Sequence, residues 1–199
     1  MSREKDPYEA RLRRIVRDSV WLMSILETVR YCDPPVWLVG GGELPKLVWN
    51  TPHGHTETAH VGDVDVVFFA PEDLSPERGH AVERDLSALR PDIRWDAKNQ
   101  AAVHLWYADR FGYAVPPLNS SEDGLQTIPA TATAVGVRLL ADDLYVAVPL
   151  GLSDHFALVL RRNPRRVTPE VFREWVDEKG FGERWPMVQV MEEDRAVTP

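Results

Sequence analysis

The run from Val64 to Phe69 is the feature that most constrains the fold of this 199-residue chain, because it is almost continuously apolar. A strand of this kind is typical of burial on both faces of a sheet. Both faces are covered when helices alternate with strands along the chain. The run therefore predicts an α+β domain, α/β-like in its alternation, with a mixed β-sheet flanked by helices.

The rest of the chain fits this alternation of helices and strands. Apolar spacing and turn residues predict the following elements: one long helix over 8–32, a strand over 36–39, a helix over 43–50, a helix over 75–90, a strand over 93–96, a β-hairpin of 134–139 with 144–148, and helices over 151–160 and 169–178. Residues 99–107 fit a helix or a strand equally well. We expect a single domain over 1–199, with an N-terminal helix (8–32), a core (36–160) and a C-terminal helical segment (168–185).

Composition narrows the classes of partner. The chain has 23 basic and 31 acidic residues, a net charge of −8, which disfavours a long nucleic acid as the main partner. The one local basic patch is expected around Arg161, Arg162, Arg165 and Arg166. Cys32 is the sole cysteine, so no disulfide framework or cysteine zinc site is expected. No apolar stretch reaches the roughly 20 residues that span a bilayer, and the N-terminal residues lack the apolar part of a secretory signal, so we expect a cytoplasmic protein.

Two carboxylates precede and enter the apolar run. Asp63 and Asp65 are two residues apart, so in a strand their side chains point the same way. Such neighbours repel each other, and a divalent cation such as Mg²⁺ relieves the repulsion. Asp96, at the end of the next predicted strand, is the natural third ligand of a two-metal site for phosphoryl transfer. The alternative is that these are solvated residues of turns and strand edges.

A glycine run follows the first predicted strand. Gly40, Gly41 and Gly42 stand between this strand and a helix, where glycine lets the backbone approach a phosphate and the helix N–H groups face it. The run is neither a dinucleotide fingerprint, since Pro45 stands where the third glycine belongs, nor a P-loop. The alternative is a plain strand-to-helix turn.

A strand, a glycine turn, a short helix and then Asp-x-Asp on a second strand resemble the DNA polymerase β-like nucleotidyltransferase superfamily. Within it, the chain is similar to the small bacterial nucleotidyltransferase-like family over about 16–190. The similarity is carried by these blocks: Trp37–Gly42, Val48–Asn50, His53–His55, Asp63–Val67, Trp95–Asp96, Asn99–Ala101, His104–Trp106, Thr131–Arg138 and Pro149–Asp154.

The resemblance implies transfer of a nucleoside monophosphate from an NTP, dependent on two Mg²⁺ ions, with Mn²⁺ as an alternative. It implies that Asp63, Asp65 and Asp96 are the catalytic residues and metal ligands, and that the glycine turn holds the triphosphate. Where the family carries a basic and then a polar residue, this chain has Pro45-Lys46, and Lys46 is the candidate substitute as a phosphate contact.

Further candidates for nucleotide binding are Asn99, Gln100 and His104, which follow the third carboxylate. Their alternative role is structural, with the amides bonding to backbone at a turn and the histidine buried and hydrogen-bonded. The loop histidines His53, His55 and His60 are candidate metal ligands or else solvated or hydrogen-bonded side chains.

The acceptor, the preferred base and the oligomeric state do not follow from the sequence. The acidic charge favours a small-molecule or protein acceptor. Two other functions stay open: a catalytically degenerate nucleotide-binding or interaction module, and a toxin–antitoxin component that nucleotidylates a protein or RNA.

Overall fold

A computed structural model describes residues 8–58, 62–141 and 143–192. Its helices are α1 (Glu9–Asp18), α2 (Val20–Cys32), α3 (Glu43–Asn50), α4 (Pro76–Leu89), α5 (Val103–Phe111), α6 (Ser121–Leu125), α7 (Ser153–Phe156), α8 (Pro169–Lys179) and α9 (Phe181–Arg184). Its strands are β1 (Leu38–Gly40), β2 (Val64–Phe68), β3 (Trp95–Asn99), β4 (Gly136–Leu139), β5 (Leu144–Ala147), β6 (Val159–Arg161) and β7 (Gln189–Met191). In this part of the chain, no helix is long and apolar enough to cross a membrane.

The main sheet is mixed, as the apolar run predicts. Among the described residues its strand order is β3-β2-β1-β4-β5, with β2 and β3 parallel and the other neighbours antiparallel. Helix α4 makes the crossover between the two parallel strands, which is the connection that parallel pairing requires. The predicted α+β fold with flanking helices is confirmed.

The apolar core lies on one face of this sheet. Alternate strand residues, among them Val39, Val66 and Val137, are fully buried there against α1, α2 and α4. Helix α3 is buried along its whole length, because it lies between this core and a second apolar cluster that includes Phe172 and Trp185. The opposite sheet face carries the polar residues and is only partly covered.

Three predicted elements differ from the observed ones. The long N-terminal helix is broken at Ser19, whose backbone is extended and whose hydroxyl accepts a hydrogen bond from the Leu22 N–H at 2.9 Å, so it caps α2. The predicted strand over 93–96 is observed later, as β3, and residues 103–111 after it are helical. The predicted helix over 151–160 is wrong beyond Phe156, because Leu158 has a left-handed φ of 57° and the chain continues as β6, paired with β7.

On the partly covered face, α6 packs closely because two strand residues are glycines. A Cβ on Gly136 would lie 2.8 Å from Leu125 Cδ1 and 3.2 Å from Leu38 Cβ, and one on Gly40 would lie 3.2 Å from Leu125 Cδ2. These glycines let the α6 leucine rest directly on the sheet.

We therefore expect Gly136→Ala to lower the free energy of unfolding by about 1–3 kcal/mol, because the added methyl group overpacks this contact. Urea unfolding of the full chain measures the change. Gly182→Ala is the matched control, since Gly182 lies in α9 with no atom near its missing Cβ, and it should be neutral or slightly stabilising. Equal stability losses in the two variants would contradict the packing explanation.

His155 is fully buried in α7, with Nδ1 2.9 Å from the Ala132 carbonyl oxygen. Within 8–58, 62–141 and 143–192, no group forms a hydrogen bond with its Nε2. Burial lowers its pKa to about 4, because the charged ring would lose its hydration. The unfolded chain therefore binds more protons than the folded chain between about pH 4 and 6.5.

The contribution of neutral His155 to the free energy of unfolding should be fully present above about pH 6.5. It should be lost as the pH drops toward 4, by up to roughly 3 kcal/mol from this residue alone. Urea unfolding of the wild-type chain and of His155→Gln at several pH values measures the contribution. The variant should be less stable at pH 7 but should lose less stability than the wild type on acidification. Parallel pH profiles of the two proteins would exclude this role for His155.

Candidate active site

The predicted carboxylates lie on the partly covered face of the sheet. Asp65 of β2 is the register partner of Asp96 in the parallel neighbour β3, so both side chains leave the sheet on the same side. Asp63 lies two residues before Asp65, and Val64 and Val66 between and after them are fully buried in the core on the other side. The structure thus places Asp65 and Asp96 side by side on one face of two adjacent strands, with Asp63 immediately before the first of them.

The glycine turn lies directly beside this row. Gly40 is the register partner of Asp65 across β1 and β2. Gly41 has a φ of 69°, a left-handed value that favours glycine, and a Cβ there would overlap Asp65 Oδ2. The turn and the middle carboxylate therefore fit together only when position 41 has no side chain.

Asp65 is the most electrostatically strained of the three carboxylates. Burial raises its pKa above the usual range, and the charge of Asp96 raises it further, whereas Lys98 lowers it. Lys179, at the end of α8, and Lys46 also lower it. The site thus holds a carboxylate whose negative charge is poorly solvated and which attracts positive charge.

Basic side chains neutralise the outer two carboxylates. Arg94 Nε lies 2.9 Å from Asp63 Oδ1, and Lys98 forms an ion pair with Asp96. These pairs are exposed, with 82% of the Arg94 side chain and 41% of the Lys98 side chain accessible. Exposed pairs of this kind contribute at most about 1 kcal/mol, so a bound divalent cation can displace them.

The donor set suits Mg²⁺ in its chemistry. The carboxylates of Asp63, Asp65 and Asp96 are hard oxygen donors of the kind that this ion prefers, and the charge of Asp65 is poorly solvated. Within the described ranges, no three His, Cys, Asp or Glu side chains are already gathered as a ligand set. Binding therefore requires Asp63 and Asp96 to turn from their basic partners toward Asp65.

Helix α3 adds a buried ion pair that the sequence pattern did not reveal. Glu43, only 1% exposed, pairs with Lys46 one helical turn later, while its second oxygen has no hydrogen-bond partner among the residues that the structure describes. Burial raises the pKa of Glu43, Lys46 lowers it, and Asp65 and Asp63 raise it. Glu43 is therefore part of the same acidic site.

Lys46 lies against the end of the glycine turn. A Cβ on Gly42 would lie 3.7 Å from Lys46 Cε and 3.9 Å from Lys46 Nζ. The predicted phosphate contact is therefore close to the backbone that would hold a phosphate. Its position is set by Glu43, which places the ammonium group inside the turn rather than in solvent.

The candidates after the third carboxylate have structural partners. Asn99 Oδ1 accepts hydrogen bonds from the Ala70 and Ala101 N–H groups, and its Nδ2 donates to the Ala70 and Asp73 carbonyl oxygens, all between 2.8 and 3.2 Å. Gln100 lies under α6, where a Cβ on Gly124 would overlap its side chain. The hydrogen bonds of Asn99 hold the loop after β2 against the end of β3, and the Gln100 side chain packs against Gly124 of α6.

The candidate histidines differ in whether their ring nitrogens are hydrogen-bonded. His53 is bonded at both ring nitrogens, Nδ1 to the Trp49 carbonyl oxygen at 2.6 Å and Nε2 to the Met187 N–H at 3.0 Å. His104 has a buried Nδ1 without a hydrogen-bond partner. The ring of His55 lies 5.8 Å from that of His53, and His60 lies outside the described residues.

Sequence reasoning missed four charged residues of the site, Arg94, Lys98, Glu43 and Lys179. Lys98 follows Asp96 by two residues, so the period of a strand places it on the same face and could have identified it. Glu43 has no signal beyond being an acidic residue in a first helical turn. Lys179 is brought near Asp65 only by the packing of α8 in the tertiary structure.

Comparisons with known proteins identify the fold and the family of the chain. One solved structure, an NMR structure described as revealing a CCA-adding enzyme head domain, is similar with a TM-score of 0.76 and 26% sequence identity. The similarity covers 93% of this chain and 96% of that one. No curated protein matches the chain in sequence. The family model described as nucleotidyltransferase matches residues 27–190, so the chain belongs to this nucleotidyltransferase family.

Proposed function

We propose that the protein is a Mg²⁺-dependent nucleotidyltransferase that transfers a nucleoside monophosphate from an NTP to a hydroxyl acceptor and releases pyrophosphate. The observation that carries the proposal is the contact between the poorly solvated Asp65 carboxylate and the left-handed Gly41 turn, with Asp96 as its strand partner. Family membership and the similar head-domain structure support nucleotidyl transfer as the reaction class.

In this proposal the chain's own residues position the reactants. The backbone N–H groups at the start of α3 and the Lys46 ammonium hold the triphosphate, which a helix N-terminus favours. Asp63, Asp65 and Asp96 hold two Mg²⁺ ions, or Mn²⁺ instead. When bound, the ions supply charge neutralisation at the attacking and leaving oxygens.

The proposed bond changes are those of an in-line displacement. The acceptor oxygen forms a bond to the α-phosphorus, and the bond from that phosphorus to the bridging oxygen of the β-phosphate breaks. Asp96 accepts the acceptor's proton, and the electron pair leaves with pyrophosphate. Because the residues hold and orient rather than react covalently, catalysis comes mainly from positioning and charge stabilisation.

The acidic net charge supports a small-molecule or protein acceptor rather than a long nucleic acid. We also propose a cytoplasmic location, on the basis of the sequence.

Calorimetric titration with ATP, GTP, CTP and UTP, each with Mg²⁺ and with EDTA, tests the proposal. At least one nucleotide should bind more tightly with Mg²⁺, and the Asp63→Asn/Asp65→Asn variant should lose that gain because the ligand oxygens are removed. Transfer from an α-labelled NTP should fall on the order of 100-fold or more. Arg173→Gln, on the exposed side of α8, is the matched control. Equal nucleotide affinities with and without Mg²⁺ would refute the proposal.

A second candidate is a nucleotide-binding module that does not catalyse transfer. It is favoured by the ion pairs that occupy Asp63, Asp96 and Lys46 and by Pro45 in the phosphate-binding helix. Mg²⁺-dependent nucleotide binding without pyrophosphate release across a broad acceptor screen would select it. A toxin–antitoxin role has no structural observation in its favour.

The site should also reduce stability, because an active site that concentrates buried negative charge does so at a cost to folding. In EDTA at pH 7, Asp65→Asn should raise the free energy of unfolding by roughly 0.5–2 kcal/mol. Since burial and Asp96 raise the Asp65 pKa, the wild type should regain this stability as the pH falls and the carboxylate is protonated.

Urea unfolding at pH 7 and at pH 3 measures this difference, which should be present at the higher pH and absent at the lower. Asp92→Asn is the control of opposite sign, because hydrogen bonds from Arg90 lower the Asp92 pKa. That variant should show no gain in stability. A destabilised Asp65→Asn protein at pH 7 would contradict the account of Asp65 as a strained carboxylate.

A further inference from the structure

Three of the four arginines of the predicted basic patch, Arg162, Arg165 and Arg166, line a hollow of about 780 Å³. We call it the arginine pocket; it lies between segments 113–119 and 162–169, and Asp123 and Thr127 close one side. Neither the glycine turn nor any of the three candidate catalytic carboxylates lines it. Its volume lies within the range of about 300–1,000 Å³ that is typical of small-molecule sites.

The walls of the arginine pocket are fixed before any ligand binds. Asn163, 4% exposed, donates hydrogen bonds to the carbonyl oxygens of Gln126 and Ile128 at 2.8 and 2.9 Å. The Tyr113 hydroxyl donates to the Arg166 carbonyl oxygen at 2.6 Å. Prolines further restrict the backbone of the lining segments: Pro116, Pro117, Pro164 and Pro169. A preformed pocket needs little ordering on binding, which favours affinity for a small ligand.

Two guanidinium groups in the lining lack a carboxylate partner within the part of the chain that the structure describes. Arg165 bonds to the neutral amide oxygen of Gln126, and the Arg166 guanidinium lies 5.1 Å from the centre of the Tyr107 ring. Burial lowers the pKa of Arg166, Tyr107 and Tyr113 oppose this, and Arg165 adds to the lowering. Two adjacent cations, one partly buried, are thus held together in an otherwise acidic protein.

The nearby carboxylate does not neutralise them. Asp123 accepts hydrogen bonds from the backbone N–H and the side-chain Nδ2 of Asn119, at 3.0 and 3.1 Å. Arg162 holds the 162–169 wall of the pocket in place by donating to the carbonyl oxygens of Val167 and Glu192. The positive charge of Arg165 and Arg166 therefore remains available to a ligand.

We propose that the arginine pocket is a binding site for a small phosphorylated molecule, with Arg165 and Arg166 as the groups that hold its phosphate. Guanidinium groups match phosphate oxygens in geometry, and two of them balance a phosphate dianion. The limited volume of the pocket and the net charge of −8 favour a small ligand over a nucleic acid. This site is separate from the carboxylate row and does not depend on the transfer reaction.

Amide NMR spectra of the full chain in EDTA test the proposal, because EDTA removes the divalent ions on which the carboxylate site depends. The probes are inorganic phosphate, pyrophosphate and glucose 6-phosphate, each compared with chloride at equal ionic strength. We expect saturable shifts at Asn119, Thr127 and Thr168 and none at Gly41 or Gly42. If glucose 6-phosphate binds more tightly than inorganic phosphate, the ligand is a phosphate ester; if inorganic phosphate binds more tightly, the ligand is free phosphate.

Variants separate binding from folding. Arg165→Gln and Arg166→Gln should each weaken binding at least tenfold, Arg166→Lys should weaken it less, and Arg173→Gln should leave it unchanged. The spectrum of each variant shows whether the fold is intact, and Arg165, being exposed, can be changed without disturbing the core.

Three results would overturn the proposal: shifts confined to the glycine turn, shifts no larger than those with chloride, or unchanged affinity in the Gln variants. Tighter binding of a short single-stranded RNA than of every small phosphate would overturn it too.

Discussion

The contact between the Asp65 carboxylate and the Gly41 backbone is the constraint on which the site depends. It requires the left-handed turn at Gly41, the antiparallel pairing that places Gly40 opposite Asp65, and a parallel neighbour that brings Asp96 alongside. Each requirement belongs to a different level of structure, namely backbone conformation, register and topology. Because the three coincide at one place on the sheet, a change in any of them would separate the carboxylates from the glycine turn.

Much of the fold could be predicted from local patterns. The apolar run of β2, the Ser75-Pro76 start of α4 and the hairpin of β4 and β5 each depend on residues close in sequence, and each is observed. The errors occur where a single residue overrides a pattern. Ser19 interrupts a continuous helical spacing by capping the next helix, and the left-handed Leu158 ends a segment whose apolar spacing fits a helix. Neither effect changes the periodicity, so periodicity alone could not reveal it.

The placement of the site could be predicted only in part. The period of two along β2 and the alternation of strands and helices predict Asp63, Asp65 and Asp96 on one face; the register of β2 and β3 pairs Asp65 with Asp96, and Asp63 lies just before β2. The ion pairs made by Arg94 and Lys98 were not predicted, although the period of β3 places Lys98 on the same face as Asp96. The approach of Lys179 depends on the position of α8 in the tertiary structure and has no local signal. For Asn99, the alternative of bonding to backbone at a turn was open from the sequence, but three of its four hydrogen bonds go to the loop after β2, whose position is set by the tertiary structure.

The ion pair of Glu43 and Lys46 fixes the lysine beside the glycine turn. A buried ion pair is costly to break, because removing one partner leaves an uncompensated charge. Lys46 is therefore not expected to leave Glu43 in order to reach a distant phosphate. Its ammonium group already lies next to Gly42, so a triphosphate in the turn would come to it. Glu43 in turn lies close enough to Asp63 and Asp65 for their charges to raise its pKa, whereas Lys46 lowers it. The positive charge of Lys46 therefore offsets the repulsion between Glu43 and the two aspartates. At Pro45-Lys46, where this chain departs from the pattern of the family it resembles, the structure thus holds the lysine in place through Glu43, one helical turn earlier.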